Sequence, residues 1–385
     1  MAKSIYFVAG EASADNHGAA LMESLRRLDV NLRFLGRGGP RMKAIAGENF
    51  KNWIDEAAVV GLWEVIKRYG YFQKQFRATL SEINESKPDA IVLIDYPGFN
   101  LRLARALRRQ ARAPKIIYYI SPQVWAWNRG RIKQMARRLD LMLCIFPFEA
   151  DLYNQSGLRT IFVGHPMIDN LRAHKIDVER DPNLVALFPG SRRREVRKIF
   201  PILLEAARKL REGKPNLRFE VAAASEQLAS EIRDMLNATP HLNPLPSPRG
   251  DSQFISIKVG ETAGLMQRAF AGIVASGSAT LEATYFRMPF VLVYKVSWLT
   301  YFAAHLVVKV KYLGMPNVLA DKEVVPEFIQ HRAQPRAVAK AVARLIDNPA
   351  ARAQMVFEFD AIVGKLGQGG ASESAAAAIE DEISR

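Results

Sequence analysis

The sequence predicts an α/β protein made of two doubly wound halves, each a parallel sheet with helices on both faces. Short apolar runs alternate with amphipathic helical patterns along most of the chain, as in repeated strand–helix–strand units. The alternation stops once, in a polar stretch at 172–183 that has no clear periodicity, and restarts at Leu184. Ligands of such sheets bind beyond the carboxyl ends of the strands, so two facing halves predict a ligand cleft between them.

Each strand is predicted from a short apolar run, and each helix from apolar residues three or four positions apart. In the first half the predicted strands are 5–9, 32–35, 90–95, 115–120, 141–146 and 160–163, and the helices are 18–28, 72–86 and 101–112. In the second half the strands are 184–188, 217–222, 254–259, 272–275 and 289–294, with a loop at 237–251. These elements predict a domain at 1–172, a second at 173–345, and C-terminal helices at 346–385 that return toward the first domain.

Composition limits the class of protein and its partners. Of the 385 residues, 49% are hydrophobic and 24% are charged, which suffices for full-sized cores. The net charge of +15 predicts an anionic partner, and the cations are concentrated at 102–115, 129–138 and 192–198. Because no zinc-finger or RNP-type signature is present, phosphorylated substrates and an anionic membrane surface are favoured over nucleic acid.

Cysteine usage and the first residues predict a cytoplasmic protein. The single cysteine, Cys144, excludes a disulfide framework. The chain enters a strand-like run at Ile5 without a signal-peptide pattern, and no uncharged stretch reaches the ~20 residues of a membrane-spanning helix. The histidines show no HExxH or paired-carboxylate spacing, so neither a metal nor a cofactor is expected.

The stretch 187–196, LFPGSRRREV, is the most informative of the chain. It joins an apolar strand to an amphipathic helix, so its glycine lets backbone N–H groups approach a ligand, and Ser191 is a good N-cap. The arginines at 192–194 follow at a helix N-terminus, where the dipole favours anions. We predict a diphosphate site that includes Ser191 and Arg192. The alternative is an ordinary turn with solvated arginines.

The stretch 275–282, ASGSATLE, repeats the pattern of a strand, a Gly/Ser turn and a helix. Its free N–H groups and hydroxyls are suited to a phosphate, and Glu282 to the two hydroxyls of a ribose. The alternative is a tight turn with helix caps. A further turn at 314–317 is predicted to close the same site. The predicted UDP-sugar contacts here are Gly277, Ser278, Ala279, Thr280, Glu282 and Asn317.

In the first half, Asp95 ends a strongly apolar strand and is predicted to emerge over the cleft as a general base with a raised pKa. The alternative is a carboxylate that caps the turn before Pro97. The turn after the first strand, GEASAD, lacks the GxGxxG pattern of dinucleotide sites, so Glu11 and Ser13 are only assigned to the cleft lining.

Two tryptophans, Trp125 and Trp127, follow the fourth predicted strand in the motif SPQVWAW. They are predicted to form an apolar floor for a sugar or acyl chain, with core packing as the alternative. Asn100, at the end of the Asp95 motif, is assigned to the acceptor side as well.

The segment 59–72 combines apolar and basic residues, which favours insertion into the surface of an anionic bilayer. A second such segment is 297–313. Core packing explains either run as easily. The predicted membrane contacts are Trp63, Val65, Ile66, Tyr69 and Phe72.

Together these motifs resemble the lipid A disaccharide synthase family. GEASAD, GPRM, IDYPGFN, SPQVWAW, FPGSRRREV, ASGSATLE and MPN follow that family's order and spacing from about residue 5 to residue 317. The resemblance implies a GT-B glycosyltransferase with two Rossmann-like domains, peripherally attached to the inner membrane. It places the family's strand-end acid on Asp95, its essential arginine on Arg192, its early glutamate on Glu11 and its late asparagine on Asn317.

Three positions depart from the family pattern. Gly98 stands where many members carry Asp, Ala14 stands where they carry Gly, and the sequence GRGG at 36–39 is richer in glycine. Asp95 is therefore the one acid of its motif, which strengthens its assignment as the base.

The resemblance implies inverting transfer of 2,3-diacylglucosamine from its UDP derivative to 2,3-diacylglucosamine 1-phosphate. Asp95 would act as base and Arg192 would offset charge on the leaving diphosphate. One alternative is another GT-B enzyme that uses UDP-N-acetylglucosamine, either a lipid-II-type transferase or an epimerase. A second is a non-catalytic nucleotide-binding membrane protein. A homodimer is left open.

Overall fold

The computed structural model describes residues 3–54, 69–110, 113–238, 255–296 and 311–385, apart from the side chains of Tyr69 and Trp127. The chain forms two compact units. One comprises Met1–Asp169 and Leu366–Arg385, and the other comprises Asn170–Lys365. Each unit is built on one parallel sheet with intervening helices, so the predicted α/β class is confirmed.

The first unit alternates strands and helices. Its strands are β1 Ser4–Ala9, β2 Arg33–Gly38, β3 Phe50–Asn52, β4 Ala90–Ile94, β5 Lys115–Tyr119, β6 Leu141–Cys144 and β7 Thr160–Phe162. Its helices are α1 Ala12–Leu28, α2 Pro40–Ala46, α3 Tyr69–Ser86, α4 Pro97–Leu107, α5 Val124–Trp127, α6 Gly130–Ala136 and α7 Pro147–Asn154; α8 Met167–Ala173 spans the boundary between the units.

The first sheet has the order β3-β2-β1-β4-β5-β6-β7. Strand order reverses between β1 and β4, whose last residues, Ala9 and Ile94, are paired in register. The turns that leave these two strands therefore open at the same switch point beyond the sheet. Side chains along β1 alternate between two cores: Ile5 and Phe7 enter one, and Tyr6 and Val8 enter the other.

The second unit repeats this plan. Its strands are β8 Asp181–Phe188, β9 Arg218–Ala223, β10 Ile255–Val259, β11 Ala269–Ala275, β12 Phe290–Tyr294 and β13 Glu327–Ile329. Its helices are α9 Arg193–Gly213, α10 Glu226–Asn237, α11 Thr262–Arg268, α12 Ala279–Tyr285, α13 Met315–Ala320, α14 Pro335–Asp347 and α15 Pro349–Lys365. The sheet order is β10-β9-β8-β11-β12-β13, so its switch point lies between β8 and β11.

The last helix, α16 Ala371–Ser384, belongs to the first unit and packs against α1. The sequence-based division treated 346–385 as one returning segment, but the units separate within it, after Lys365. The reason is packing: α15 lies against α12 and α13, and only the residues from Leu366 onward join the first unit.

Two strands, β3 and β13, were not predicted, because each is only three residues long and carries polar or charged residues. The strand β8 begins at Asp181, three residues before the predicted start. The first residue of β8, Asp181, forms an ion pair with Arg218 of β9. The polar stretch at 172–183 is therefore not entirely a linker.

Candidate active site

Asp95 lies at the switch point of the first sheet. It directly follows β4, whose five residues are all buried, and is itself half-buried. Burial and, second, the negative charge of Glu11 raise the pKa of the Asp95 carboxyl to about 6, while a hydrogen bond from the Tyr96 backbone N–H opposes this rise. A carboxyl group with a pKa near neutrality is suited to accepting a proton during catalysis.

The turn after β1 touches the turn after β4. A Cβ at Gly10 would lie 2.4 Å from the Tyr96 ring, so only glycine allows this approach. Glu11 is the N-cap residue of α1 and Ser13 is in its first turn, and both are exposed. The structure thus places Glu11 at the switch point with Asp95.

Asn100 does not face an acceptor. Its side chain is fully buried, and its Nδ2 donates hydrogen bonds to the backbone carbonyls of Ile94, at 3.2 Å, and Asp95, at 2.8 Å. Asn100 therefore supports the main chain beneath the carboxylate instead of contacting a ligand.

Trp125 is a core residue and not an apolar floor. It is 6% exposed, packs edge-on against Phe148 with ring centroids 4.9 Å apart, and donates its indole N–H to Glu149 Oε1 at 2.8 Å. The side chain of Trp127 lies outside the described residues. Packing explains Trp125, because a buried indole needs an acceptor for its N–H.

Sequence reasoning missed Glu149, which is fully buried and holds Trp125 and the backbone N–H of Phe146. Burial raises the pKa of Glu149 to about 7. Its signal is its position three residues after Phe146 at the start of α7, the spacing of a capping glutamate.

A cavity of about 470 Å³ opens at the switch point of the second sheet. Its lining includes residues 190–192 and 275–279, from the two glycine-containing turns, together with Glu195, Thr262 and Glu282. The two turns that the sequence predicts for a UDP-sugar therefore share one cavity. Thr262 was missed, although its position just after β10 is a signal, since it follows the carboxyl end of a strand in the same sheet.

The three consecutive arginines of the first turn differ in role. The Arg192 side chain is 71% exposed, lines the cavity and lies 3.3 Å from Glu195 Oε1. Arg193 instead pairs with Glu231 of α10 at 2.9 Å. Within the described part of the chain, the Arg194 side chain makes no hydrogen bond or ion pair. Arg192 is thus the arginine that faces the predicted diphosphate site.

In the second turn, Ser278 and Glu282 line the cavity and are joined by a hydrogen bond of 3.2 Å from the serine hydroxyl. Burial raises the pKa of Glu282. Thr280 is not brought to the cavity. Its side chain is 1% exposed and its hydroxyl donates to the Gly277 carbonyl at 2.8 Å, so it stabilises the turn.

Asn317 was predicted to bind the UDP-sugar, but its amide is fully occupied within the protein. Its Nδ2 donates to the Val325 carbonyl and to Glu327, and its Oδ1 accepts from the N–H groups of Val324 and Val325. Glu327 also accepts from the N–H groups that precede α13. Asn317 is buried and fixes a loop, which leaves no free group for a ligand.

Of the predicted membrane contacts, Trp63, Val65 and Ile66 lie outside the described residues, as does the side chain of Tyr69. Phe72 is half-buried and packs edge-on against Tyr71. Most of the second segment, 297–310, also lies outside them.

Two features are missing from the described ranges. No helix there combines the length and apolar character needed to cross a bilayer. No cluster of three or more His, Cys, Asp or Glu side chains in these ranges is arranged to hold a metal ion.

Solved structures with similar folds include an epimerase and a glycosyltransferase. One is the UDP-GlcNAc 2-epimerase of Neisseria meningitidis, with a TM-score of 0.63 and 12% identity over 98% of this chain and all of that one. Another is the calicheamicin glycosyltransferase CalG4, with a TM-score of 0.56 and 14% identity over 100% and 98% of the two chains. At these identities the likeness concerns the fold, which is that of GT-B proteins with two Rossmann-like domains.

Sequence comparison identifies the family. Lipid-A-disaccharide synthases of Geobacter sulfurreducens and Saccharophagus degradans are 37% and 36% identical to this chain, each over 99% of it and 97% of their own length. The model of the lipid-A-disaccharide synthetase family matches residues 5–379. The chain therefore belongs to the lipid-A-disaccharide synthase family of glycosyltransferases.

Proposed function

We propose that the chain transfers 2,3-diacylglucosamine from its UDP derivative to the 6-hydroxyl of 2,3-diacylglucosamine 1-phosphate, with inversion at the anomeric carbon. The products are a β-1,6-linked disaccharide 1-phosphate and UDP. Family membership supports the reaction. The observation that carries the mechanism is the half-buried Asp95 carboxyl at the end of β4, with its raised pKa.

In this mechanism Asp95 accepts the proton of the 6-hydroxyl as the oxygen attacks the anomeric carbon. The proton is held more readily because Asp95 is partly desolvated and lies near a second acid, Glu11. Glu11 thus acts by tuning the base.

The second unit would bind the UDP part of the donor. The backbone N–H groups of the two glycine-containing turns supply donors for the diphosphate, and Arg192 supplies the charge. As the glycosidic C–O bond to UDP breaks, negative charge grows on the diphosphate and the arginine stabilises it. Glu282, in the same cavity, is suited to accept hydrogen bonds from the ribose hydroxyls.

Mass spectrometry of the purified protein incubated with both acylated substrates tests the reaction. We expect a disaccharide 1-phosphate and UDP, and at most about a hundredth of that product in the same time from an Asp95→Asn control. A second incubation offers UDP-N-acetylglucosamine without an acylated acceptor. Turnover of that nucleotide alone, with no acylated disaccharide formed in the first incubation, would instead support the epimerase alternative.

We also propose that the chain attaches peripherally to an anionic membrane, through the segment 59–72 and through a cationic face on the first unit. The helices α3, α4 and α6 pack on one core of the first sheet. α4 and α6 contain no acidic residue. Exposed Arg102, Arg105 and Arg109 make no side-chain hydrogen bond or ion pair within the described ranges. Burial, followed by the charges of Arg105 and Arg109, lowers the pKa of Arg138.

Such unpaired, mutually repelling cations favour a surface that supplies negative charge. Vesicle flotation of three variants, one of them a control, tests this proposal. We expect weaker binding to anionic vesicles when Arg102, Arg105 and Arg109 become Gln, and when Trp63, Val65, Ile66, Tyr69 and Phe72 become Ser. The charge-matched control, with exposed Arg33, Arg41 and Lys43 changed to Gln, should float like the wild type. Equal flotation of all variants contradicts the proposal.

We further propose a homodimer, which light scattering checks directly. A dimer has twice the 43.1 kDa of the chain, and a mass equal to one chain contradicts it.

A further inference from the structure

The main chain at Asp95 adopts an unfavourable conformation. Asp95 and Tyr96 have φ angles of 45° and 48°, so two consecutive residues with side chains lie in the left-handed region. This region suits glycine, and other residues occupy it at a cost that the surrounding structure must offset. One of these two strained positions is the residue proposed as the base.

Two buried side chains restrain this conformation through hydrogen bonds. The Tyr118 hydroxyl donates to the Asp95 carbonyl oxygen at 2.5 Å, and Asn100 Nδ2 donates to the same oxygen at 2.8 Å. Both side chains are 0% exposed. A carbonyl that accepts two buried hydrogen bonds has little freedom to rotate, and rotation of its peptide would change ψ of Asp95 and the left-handed φ of Tyr96. Asn100 Nδ2 also donates to the Ile94 carbonyl, which belongs to the peptide whose rotation would change φ of Asp95.

Asn100 is unusual for a buried amide. Its Oδ1 is buried and has no hydrogen-bond partner in the described part of the chain, while its Nδ2 serves the carbonyls of Ile94 and Asp95. An unsatisfied buried acceptor is unfavourable. Packing alone would favour an apolar side chain here, so the amide is retained for its donor.

We propose that Tyr118 and Asn100 are positioning residues that clamp the Asp95 carbonyl and thereby aim the Asp95 carboxylate at the acceptor hydroxyl. The inference rests on the proposed role of Asp95 as the base. Tyr118 lies on β5, and none of the motifs predicted to form the site contains it. Neither residue needs to touch the substrate.

The decisive experiment compares Tyr118→Phe with Tyr153→Phe. Tyr153 is a matched control, because it is equally buried and its hydroxyl also donates to a main-chain carbonyl, that of Pro122, at 2.8 Å. We expect Tyr118→Phe to lower kcat by about tenfold or more, because small displacements of a catalytic group are costly, while the KM for the UDP-sugar stays unchanged. Tyr153→Phe should lose comparable thermal stability and keep its kcat. Equal kcat values in the two variants overturn the proposal.

The pH profile supplies a readout that a purely structural loss would not change. In the wild type the acid limb reports the deprotonation of Asp95 near pH 6. Released from the clamp, the carboxylate gains solvent and its pKa falls, so the limb of Tyr118→Phe should move to lower pH. An unmoved limb contradicts the clamp.

A third measurement tests the backbone strain without an activity assay. Glycine tolerates φ near 45° and alanine does not, so Asp95→Gly should melt at a higher temperature than Asp95→Ala. The reverse order would overturn the proposal. Failure of the base assignment is distinguishable, since it would appear as an active Asp95→Asn enzyme, whatever the result for Tyr118.

Discussion

At the switch point of each sheet, the turn after the unit's first strand meets the turn after its fourth, yet the two meeting points carry different charges. In the first unit Glu11 meets Asp95, and the mutual repulsion of two acids adds to burial in raising the pKa of Asp95. In the second unit the exposed Arg192 and the N–H groups of two turns line a cavity, with Glu195 and Glu282 as the acids.

The comparison shows how one topology supports two tasks. The strand order 3-2-1-4 of each unit supplies the same position beyond the sheet, but the first residues after the strands decide what that position does. An acidic, partly desolvated position is suited to removing a proton. A position with an arginine and free N–H groups is suited to holding an anion. Substitutions of Asp95, Arg192 and Glu11 should therefore each affect one task and spare the other.

The largest effect is expected from Asp95→Asn. Loss of a general base reduces turnover by roughly two to four orders of magnitude. UDP affinity should be unchanged, because the proposed UDP cavity belongs to the second unit. Steady-state kinetics and calorimetry with UDP measure the two quantities. A variant that keeps more than about a tenth of the wild-type rate would show that the base is another group.

Arg192→Ala should have the opposite selectivity and a smaller effect. A charge-assisted contact to a diphosphate contributes roughly 1.5–3 kcal/mol, so UDP binding and kcat/KM should weaken by at least tenfold. Arg194→Ala is the matched control, since its side chain neither lines the cavity nor makes an ion pair within the described ranges. Equal losses in the two variants would mean that the arginines act only through a diffuse field.

In both site regions, the sequence predicted local features better than it predicted hydrogen-bond partners. Strand ends and glycine-containing turns are local features, so Asp95, Ser191, Arg192, Ser278 and Glu282 could be placed from pattern alone, and their placement at switch points follows from strand order. Within the described ranges, the apolar runs likewise predicted every strand of four or more residues.

The hydrogen-bond partners of buried side chains could not be predicted from such local patterns. Asn100, Trp125 and Asn317 have side chains that are equally suited to a ligand and to a buried partner, and the partners are revealed only by tertiary packing. The role of Tyr118 was missed for the same reason, because a tyrosine in an apolar strand looks like any other core residue.

Asn317→Ala tests whether Asn317 stabilises the fold or binds the UDP-sugar. Two backbone N–H groups and the Val325 carbonyl lose their Asn317 partner, and each unsatisfied buried group costs roughly 1–3 kcal/mol, so urea denaturation should show a clear loss of stability. At a temperature where the variant is folded, we expect its affinity for UDP to match the wild type. A folded variant with affinity as low as that of Arg192→Ala would place Asn317 back in the binding site.

The smallest expected effect is that of Glu11→Gln, and it tests whether the acidic switch point works through its charge. Asp95 must be deprotonated to act as base, so activity falls as the pH drops through its pKa, near 6. Removing the negative charge of Glu11 makes deprotonation easier and moves this acid limb to lower pH. The limb should stay above the ordinary carboxyl value of 3.8, because burial, the larger cause of the rise, remains. Glu23→Gln, at an exposed position of α1, is the control and should leave the profile unchanged. If the limb of Glu11→Gln also stays in place, the charge of Glu11 does not reach the titrating group, and the pairing of two acids at this switch point is not what tunes the base.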